Sequence, residues 1–349
     1  MSKRKVYLSI DAHARHCVLG VMSCTGIFLY SSRFVTCEKE LIKNIKSVDA
    51  GKKILAVEEG PLAFWIAQTL KPHLDEIIVS DPRHTPLISR NAMKRDKLDV
   101  KNLCRLLRLG ELKQVYHPED DHRAIFKSAV QQYIDFRKQQ ITIKQKIKAK
   151  FRGWGVTDVE GVSVYNLDKK DNYLKKLKVR PIRTQLEHLY CLLSTAIELQ
   201  VSALKEAKRL SRKYPEIQEF MKLPGVGIIG ALIFDAYIQT PDRFTRKQTL
   251  WRYCKMAVTD RSSDGKPLSY KRLDKAGNGE LKAMSYRAFL SAIHRKDENE
   301  VRQFYDKSLS RTHNQTRARL NTQRKILSVL HGVWRRKEAY KPELFFGSV

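Results

Sequence analysis

Four acidic residues in the first third of the chain have types and positions that could do chemistry. Asp11 closes the apolar run "KVYLSIDA" and Glu58 closes "KKILAVE". Asp96 and Asp99 stand three apart in "MKRDKLDVKNL". On a helix that spacing puts both carboxylates on one face. Carboxylate oxygens are the donors that hard divalent cations take. Two magnesium ions about 4 Å apart can serve in-line phosphoryl displacement by stabilising the attacking and the leaving oxygen. Any one of these acids, taken singly, is more often a strand terminator or half of a solvated salt bridge. Four together, in a strongly basic chain, favour a metal site.

The elements that must position them can be read from periodicity. "KVYLSIDA", "CVLGVMS" and "IFLYSSRFVT" are apolar, β-rich runs separated by short polar breaks. "CEKELIKNIKSV" has helical spacing, "KKILAVEEG" and "DEIIVSD" are further strands, and the helical "PLAFWIAQTLKPHL" lies between them. The order βββαβα, followed by more helix, predicts an α/β layer architecture. Strand-terminal acids emerge at the rim of such a sheet, where sites commonly sit. Residues 119–211 read as two long helices around the polar break "LDKKDN", so an antiparallel hairpin or coiled coil is expected. Lys144, Lys146, Lys148, Lys150 and Arg152 read as one basic face, although long exposed helices are often lysine-rich without a ligand. The remainder, 212–349, is helical with loops. The expected class is α/β plus all-α, in three domains: 1–118, 119–211 and 212–349.

The 349 residues carry 67 Lys and Arg against 37 Asp and Glu, a formal charge of +30. Such an excess repels itself in the compact state and calls for an acidic partner, nucleic acid before a membrane surface. No stretch approaches the roughly 18 to 20 apolar residues of a spanning helix, and the N-terminal "MSKRKVYLSIDAH" is no signal peptide. The six cysteines form no CxxC pair and read as reduced core thiols of a cytosolic protein.

"PGVGIIG" formally matches the dinucleotide fingerprint, but its lead-in, "EIQEFMKLPG", reads as helix rather than strand. A helix–turn–helix with Gly225 and Gly227 in the turn fits better. Its backbone amides could meet a DNA phosphate, or the turn could hold no ligand at all. "TDRSSDGKPLSYKRLDKAGNGELK" is a polar loop dense in Ser, Gly and Lys. A serine there is either a nucleophile or ordinary turn chemistry. No GxSxG elbow surrounds it and no HExxH occurs; His13 and His16 are incidental.

Across nearly the whole chain this arrangement resembles the DEDD-type transposases of bridge-RNA-guided insertion sequences, relatives of the Piv-type DNA invertases. "LSIDAH" resembles their first strand with its catalytic Asp11, "AVEEG" their second acid motif, and "RDKLDVKNL" their paired helical acids Asp96 and Asp99. "KLPGVG" is similar to the helix-hairpin element opening their C-terminal domain. "DKAGNGELK" resembles the stretch that follows their catalytic serine, and an ungapped count back from it gives Ser263. This chain departs from the family where "EGP" follows Glu58, leaving Glu59 as a competing second acid. It departs again in "SSDG", where Ser262 competes with Ser263.

The resemblance implies an RNase H-like, RuvC-type domain at 1–118 binding Mg2+ as two ions, with Mn2+ a substitute, through Asp11, Glu58, Asp96 and Asp99. It implies recombination of double-stranded donor and target DNA, guidance by a bridge RNA, and a homo-oligomer, dimer or tetramer, in which the serine of one protomer meets the metal site of another. Lys266, Lys271 and Arg272 would steady the phosphate at that serine, while Lys144, Lys148, Arg152, Gly225 and Gly227 would bind nucleic acid. The expected location is cytoplasmic, on the nucleoid of a prokaryote. A RuvC-type nuclease that needs no serine, or a non-catalytic nucleic-acid-binding protein, are the competing readings.

Overall fold

The structure is a computed structural model and describes residues 5–82, 96–117, 121–259, 262–263, 266–267 and 272–347. It divides into two compact units, Met1–Glu119 and Asp120–Val349.

The first unit is built on five strands: β1 (Lys5–Ala12), β2 (His16–Ser23), β3 (Phe28–Val35), β4 (Lys52–Glu58) and β5 (Glu76–Ser80). Their order in the sheet is β3-β2-β1-β4-β5. β1, β2 and β3 pair antiparallel, while β1–β4 and β4–β5 pair parallel. Alternation along β1 and β4 sends side chains to opposite faces. On one face Leu8, Ile10, Leu55 and Val57 pack against Leu41 and Ile45 of α1 (Glu38–Lys46) and Ile66 and Leu70 of α2 (Ala63–Leu70). On the other, Tyr7, Ile54 and Ala56 meet Leu103, Leu106 and Leu107 of α3 (Asp96–Leu109). Each such buried aliphatic stabilises the layer by about 1.5–3 kcal/mol. α1 also matches its dipole, with Glu38 and Glu40 in its first turn and Lys43 and Lys46 in its last. This mixed sheet with helices on both faces is compatible with an RNase H-like fold.

In the second unit α4 (Asp121–Gly153) and α6 (Arg180–Ser211) run antiparallel. Gln140 Nε2 donates to Ala196 O at 3.0 Å and to Gln200 Oε1 at 2.6 Å, and Lys150 Nζ to Gln185 Oε1 at 2.5 Å. At 33 residues, α4 is about 50 Å long. One end of the pair has its own small core, where Ile147, Phe151, Leu186 and Tyr190 close over Val159 and Val164 of the connection, which also carries α5 (Lys170–Leu174). The other end is not separate. Phe126, Val130, Tyr133 and Ala207 belong to the same core as the C-terminal helices, so packing runs without a break across the expected 211/212 boundary.

Those helices are α7 (Glu216–Met221), α8 (Ile228–Ile238), α9 (Lys247–Tyr253), α10 (Gly279–Ile293), α11 (Glu300–Thr312) and α12 (Gln315–Arg336). α8 is apolar nearly all round and accordingly buried. Asparagine caps open the last three: Asn278 accepts from Glu280 N and Leu281 N, Asn299 from Arg302 N, and Asn314 from Arg317 N. Arg123 of α4 fastens the hairpin to this body. Its guanidinium donates to Glu216 Oε1 at 2.6 Å and to Asp235, and lies 3.9 Å from the Tyr214 ring and 5.2 Å from that of Trp334. Asp235 is fully buried, which pushes its carboxyl well above the usual range, and Arg123 opposes that shift. Among the described residues no helix is long and apolar enough to cross a membrane.

Gly225 in the α7–α8 turn has φ +85°, and a Cβ there would stand 2.1 Å from the carbonyl oxygen of Ala288 on α10. Packing therefore demands this glycine. Gly227, the N-cap of α8, has ordinary extended backbone and open space around it. Gly225→Ala is expected to destabilise the second unit by roughly 4 kcal/mol or more, and Gly227→Ala by about 1 kcal/mol or less. Chemical denaturation of the two variants, side by side, checks the difference.

Candidate active site

β1 and β4 are parallel neighbours with Ile10 opposite Val57, so Asp11 and Glu58 are the next positions on each strand, at their carboxyl ends. Tyr7 and Ser9 on β1, with Ile54 and Ala56 on β4, face α3. Asp11 and Glu58 fall in the same alternation and so on the same face. Adjacent strands lie about 4.8 Å apart, which makes the two positions neighbours.

α3 crosses this face in the direction opposite to β1. Ser9 Oγ donates to Val100 O at 2.7 Å. One turn further on, Cys104 Sγ lies 3.2 Å from Ser9 Oγ and 3.5 Å from Tyr7 O. Going back one turn from Val100 moves about 6 Å along the helix, the same distance that two residues cover from Ser9 to Asp11. The first turn of α3, with Asp96 and Asp99, therefore reaches the level of Asp11. The positive end of the helix dipole favours carboxylates there. Asp99 Oδ1 is shielded from solvent. The Asp96 side chain lies outside the described residues.

The helix comes this close because β2 carries Gly20 beneath it. A Cβ at Gly20 would lie 2.9 Å from both Ser9 Oγ and Val100 Cβ.

The four candidate acids would offer carboxylate oxygens, the donors that Mg2+ or Mn2+ takes. Cys104, on the same face of the sheet, is buried and its thiol is pushed up to about 12, so it stays protonated and is no ligand. Among the described residues, Asp11, Glu58 and Asp99 included, no three His, Cys, Asp or Glu side chains are close enough together to hold a metal ion as they stand. Glu59 leaves the face. Its amide donates to Ser80 O at 2.9 Å, and its carboxylate lies 2.5 Å from His117 Nε2. Of two further groups near these strand ends, the sequence reading set His13 aside as incidental and did not single out Asp81. His13 Nε2 is 3.3 Å from Asp11 Oδ2, and Asp81 is buried just beyond the end of β5. Only the strand-terminal position in "IIVSD" pointed to the latter.

The serine segment is a β arm. β6 (Val258–Thr259) pairs with β9 (Arg272–Leu273), and β7 (Ser262–Ser263) pairs with β8 (Lys266–Pro267), with Ser263 opposite Lys266. The side chains of Ser262, Ser263 and Lys266, and all of Asp260, Asp264 and Lys271, lie outside the described residues. The base of the arm is clamped. Asp274 N donates to Ala257 O at 2.8 Å, and Asn278 N to Tyr253 O at 2.6 Å. Arg324 of α12 donates through Nε and Nη2 to Met256 O at 2.9 and 2.5 Å. The backbone amide of Ala276, with Arg252 3.3 Å away, holds the Asp274 carboxyl below the usual range. Gly277 makes the return possible, since at φ +112° a Cβ would sit 2.4 Å from Tyr253 O.

The basic residues of α4 do not share one face, because alternate positions on a helix lie some 200° apart. Lys144 and Lys148 both lie over the Tyr165 ring, at 5.6 and 5.3 Å, and Arg152 pairs with Glu160 at 2.5 Å. Lys146 and Lys150 instead line a groove with Trp154, Gln185 and His188.

If the approach of α3 sets the site, Gly20→Ala should lower any metal-dependent activity at least tenfold while the chain stays folded, because the added methyl lifts the first turn of α3. A variant with full activity and a wild-type circular dichroism spectrum would contradict that role.

A comparison with curated proteins finds no match to this chain. A family comparison does. Residues 217–306, from α7 through the serine arm and α10 into α11, match the model described as Transposase IS116/IS110/IS902 family. The match spans about a quarter of the chain and supports insertion-sequence transposase chemistry. Over those residues, this protein is similar to the transposases of the IS116/IS110/IS902 family.

Proposed function

We propose that this protein is an insertion-sequence transposase that cuts and rejoins double-stranded DNA through a covalent phosphoserine intermediate. The observation that carries the reading is the convergence at one sheet rim: Asp11 and Glu58 in neighbouring register positions, under the helix turn that bears Asp96 and Asp99. The family match over the serine arm supports the same chemistry from the other unit.

In this reading Asp11, Glu58, Asp96 and Asp99 hold two Mg2+ ions, with Mn2+ able to replace them. Bound there, the metals supply Lewis-acid stabilisation of the oxygens at phosphorus. Glu58 is the second acid rather than Glu59, whose carboxylate His117 engages on another side of the strand. Ser263 is the nucleophile. Its Oγ bonds to a phosphorus of the DNA backbone as one deoxyribose oxygen leaves, and the hydroxyl proton passes to that oxygen in the overall balance. One phosphoester replaces another, so the energy for rejoining is retained in the protein–DNA bond. Lys266, Lys271 and Arg272 steady the phosphate, and Lys266 stands opposite Ser263 in a short ladder. The acids come from a partner subunit in a dimer or tetramer, and a bridge RNA selects donor and target. The charge of +30 suits both polyanions.

In a strand-cleavage assay on supercoiled DNA, Ser263→Ala and Glu58→Gln are each expected to lose at least a thousandfold in rate while binding DNA normally. Glu59→Gln should retain activity within a few-fold. Loss in Glu59→Gln with activity in Glu58→Gln would reverse the assignment of the second acid. Cleavage that survives loss of both Ser262 and Ser263 would replace the recombinase with a RuvC-type nuclease.

Binding should also depend steeply on salt. Neutralising about eight phosphates gives a slope near −7 for log K against log salt. A nearly flat dependence, measured by fluorescence anisotropy, would remove the polyanion from the reading.

A further inference from the structure

A pocket of about 340 Å3 opens in the second unit between α9, α11 and α12 and the segment that follows them. Four cations line it: Lys247, Arg311, Arg324 and Lys325. None of the residues that line it is acidic. Like charges gathered in one concavity repel, and the cost is visible at Lys325, whose ammonium is held below its ordinary range by burial and by Lys247. Two of the cations are anchored. Arg324 is held on Met256 O at 2.9 and 2.5 Å, and Lys325 Nζ donates to Gly347 O at 2.6 Å.

The remaining walls are aromatic. Trp251 has its ring fixed by donating Nε1–H to Ser328 Oγ at 3.0 Å, and the Arg324 guanidinium lies 5.3 Å from that ring. Phe304 and Phe346 complete the lining, and Phe346 is 49% exposed. An inorganic phosphate would use the cations and leave the rings idle. A neutral aromatic ligand would leave the cations unneutralised. A group that carries a planar ring and a phosphate together uses both, and 340 Å3 is at the small end of ligand pockets, suited to one such unit.

We propose that this pocket receives a single unpaired nucleotide of a nucleic-acid strand. The base stacks against Trp251 and Phe346, and the phosphate lies among Lys247, Arg311 and Lys325. A paired base cannot enter, because its faces are already covered by its neighbours in the stack, so the pocket discriminates single-stranded or flipped-out nucleotides from intact duplex. Its position has a consequence for the proposed reaction. Arg324 lines the pocket and also holds Met256 O, two residues before the serine arm begins, so a captured nucleotide would brace the root of that arm. This inference rests on the nucleic-acid reading above but not on the carboxylates or the serine.

The test uses the full chain and three probes of one sequence: a short DNA strand with 2-aminopurine at one position, its RNA counterpart, and the matched DNA duplex. Wild type should quench the 2-aminopurine of a single strand by stacking. Phe346→Ala should weaken single-strand binding about tenfold, the effect of losing one stacked base, and abolish the quenching. Phe346→Tyr, which keeps a ring, should restore both. Arg311→Gln should weaken single-strand binding and leave duplex binding within twofold. An effect confined to the DNA or to the RNA probe identifies which strand the pocket takes, and both results support it. Equal weakening on strand and duplex, or no change in Phe346→Ala, overturns the pocket while the transposase reading stands. Salt-insensitive binding by wild type to all three probes overturns both.

Discussion

The candidate active site depends on how closely α3 can approach the sheet. Its four acids come from three separate elements, and strand pairing fixes only the first two. Asp11 and Glu58 are neighbours because β1 and β4 are parallel and in register. Asp96 and Asp99 join them only if α3 is seated at one depth and one level along β1. Gly20 provides the depth by leaving no atom between β2 and Val100. Ser9 favours one level, since its buried hydroxyl donates to the Val100 carbonyl. A buried hydroxyl left without a partner costs about 1–3 kcal/mol, so sliding α3 along the strand is opposed by that amount as well as by lost packing. Two small residues in strands thus position two charged residues on a helix.

The second unit meets a comparable problem by other means. The end of the hairpin shares an apolar core with the C-terminal helices and is fastened to them by Arg123, which is shared between Glu216 and the fully buried Asp235 and lies against the Tyr214 and Trp334 rings. Removing one partner would leave an uncompensated charge in the core, a loss of about 3–5 kcal/mol. At the serine arm the restraint is backbone pairing at the root, with the Arg324 guanidinium and the Gly277 return holding both chains of the arm where they leave the helices.

Local signals carried the sequence reading where local physics decides the outcome. Alternation and β-rich composition located the five strands, and strand-terminal position picked out Asp11 and Glu58 before any packing was known. The hairpin of α4 and α6 followed from length and helical spacing. What escaped was set by contacts distant in sequence. Gly225 was legible as a turn, with or without a ligand, but not that its backbone is pressed on α10 more than sixty positions later. The contact of Glu59 with His117 and the fit of Gly20 under Val100 are likewise contacts that no local motif reveals. The basic run of α4 was read as one face because lysines at alternate positions look continuous in a line of text, whereas a helix turns them apart. The boundary expected after residue 211 failed to appear as a break in packing because α4 and α6 bury their far ends in the C-terminal core.

The central claim is that the rim of β1 and β4 with the first turn of α3 makes one divalent-metal site. Titration of Mn2+ into the full chain, followed by electron paramagnetic resonance, addresses it without relying on turnover. The site described here predicts that Asp11→Asn and Glu58→Gln each weaken Mn2+ binding at least tenfold or remove an ion, while Glu59→Gln binds as wild type does. Unchanged Mn2+ binding in both Asp11→Asn and Glu58→Gln would contradict it.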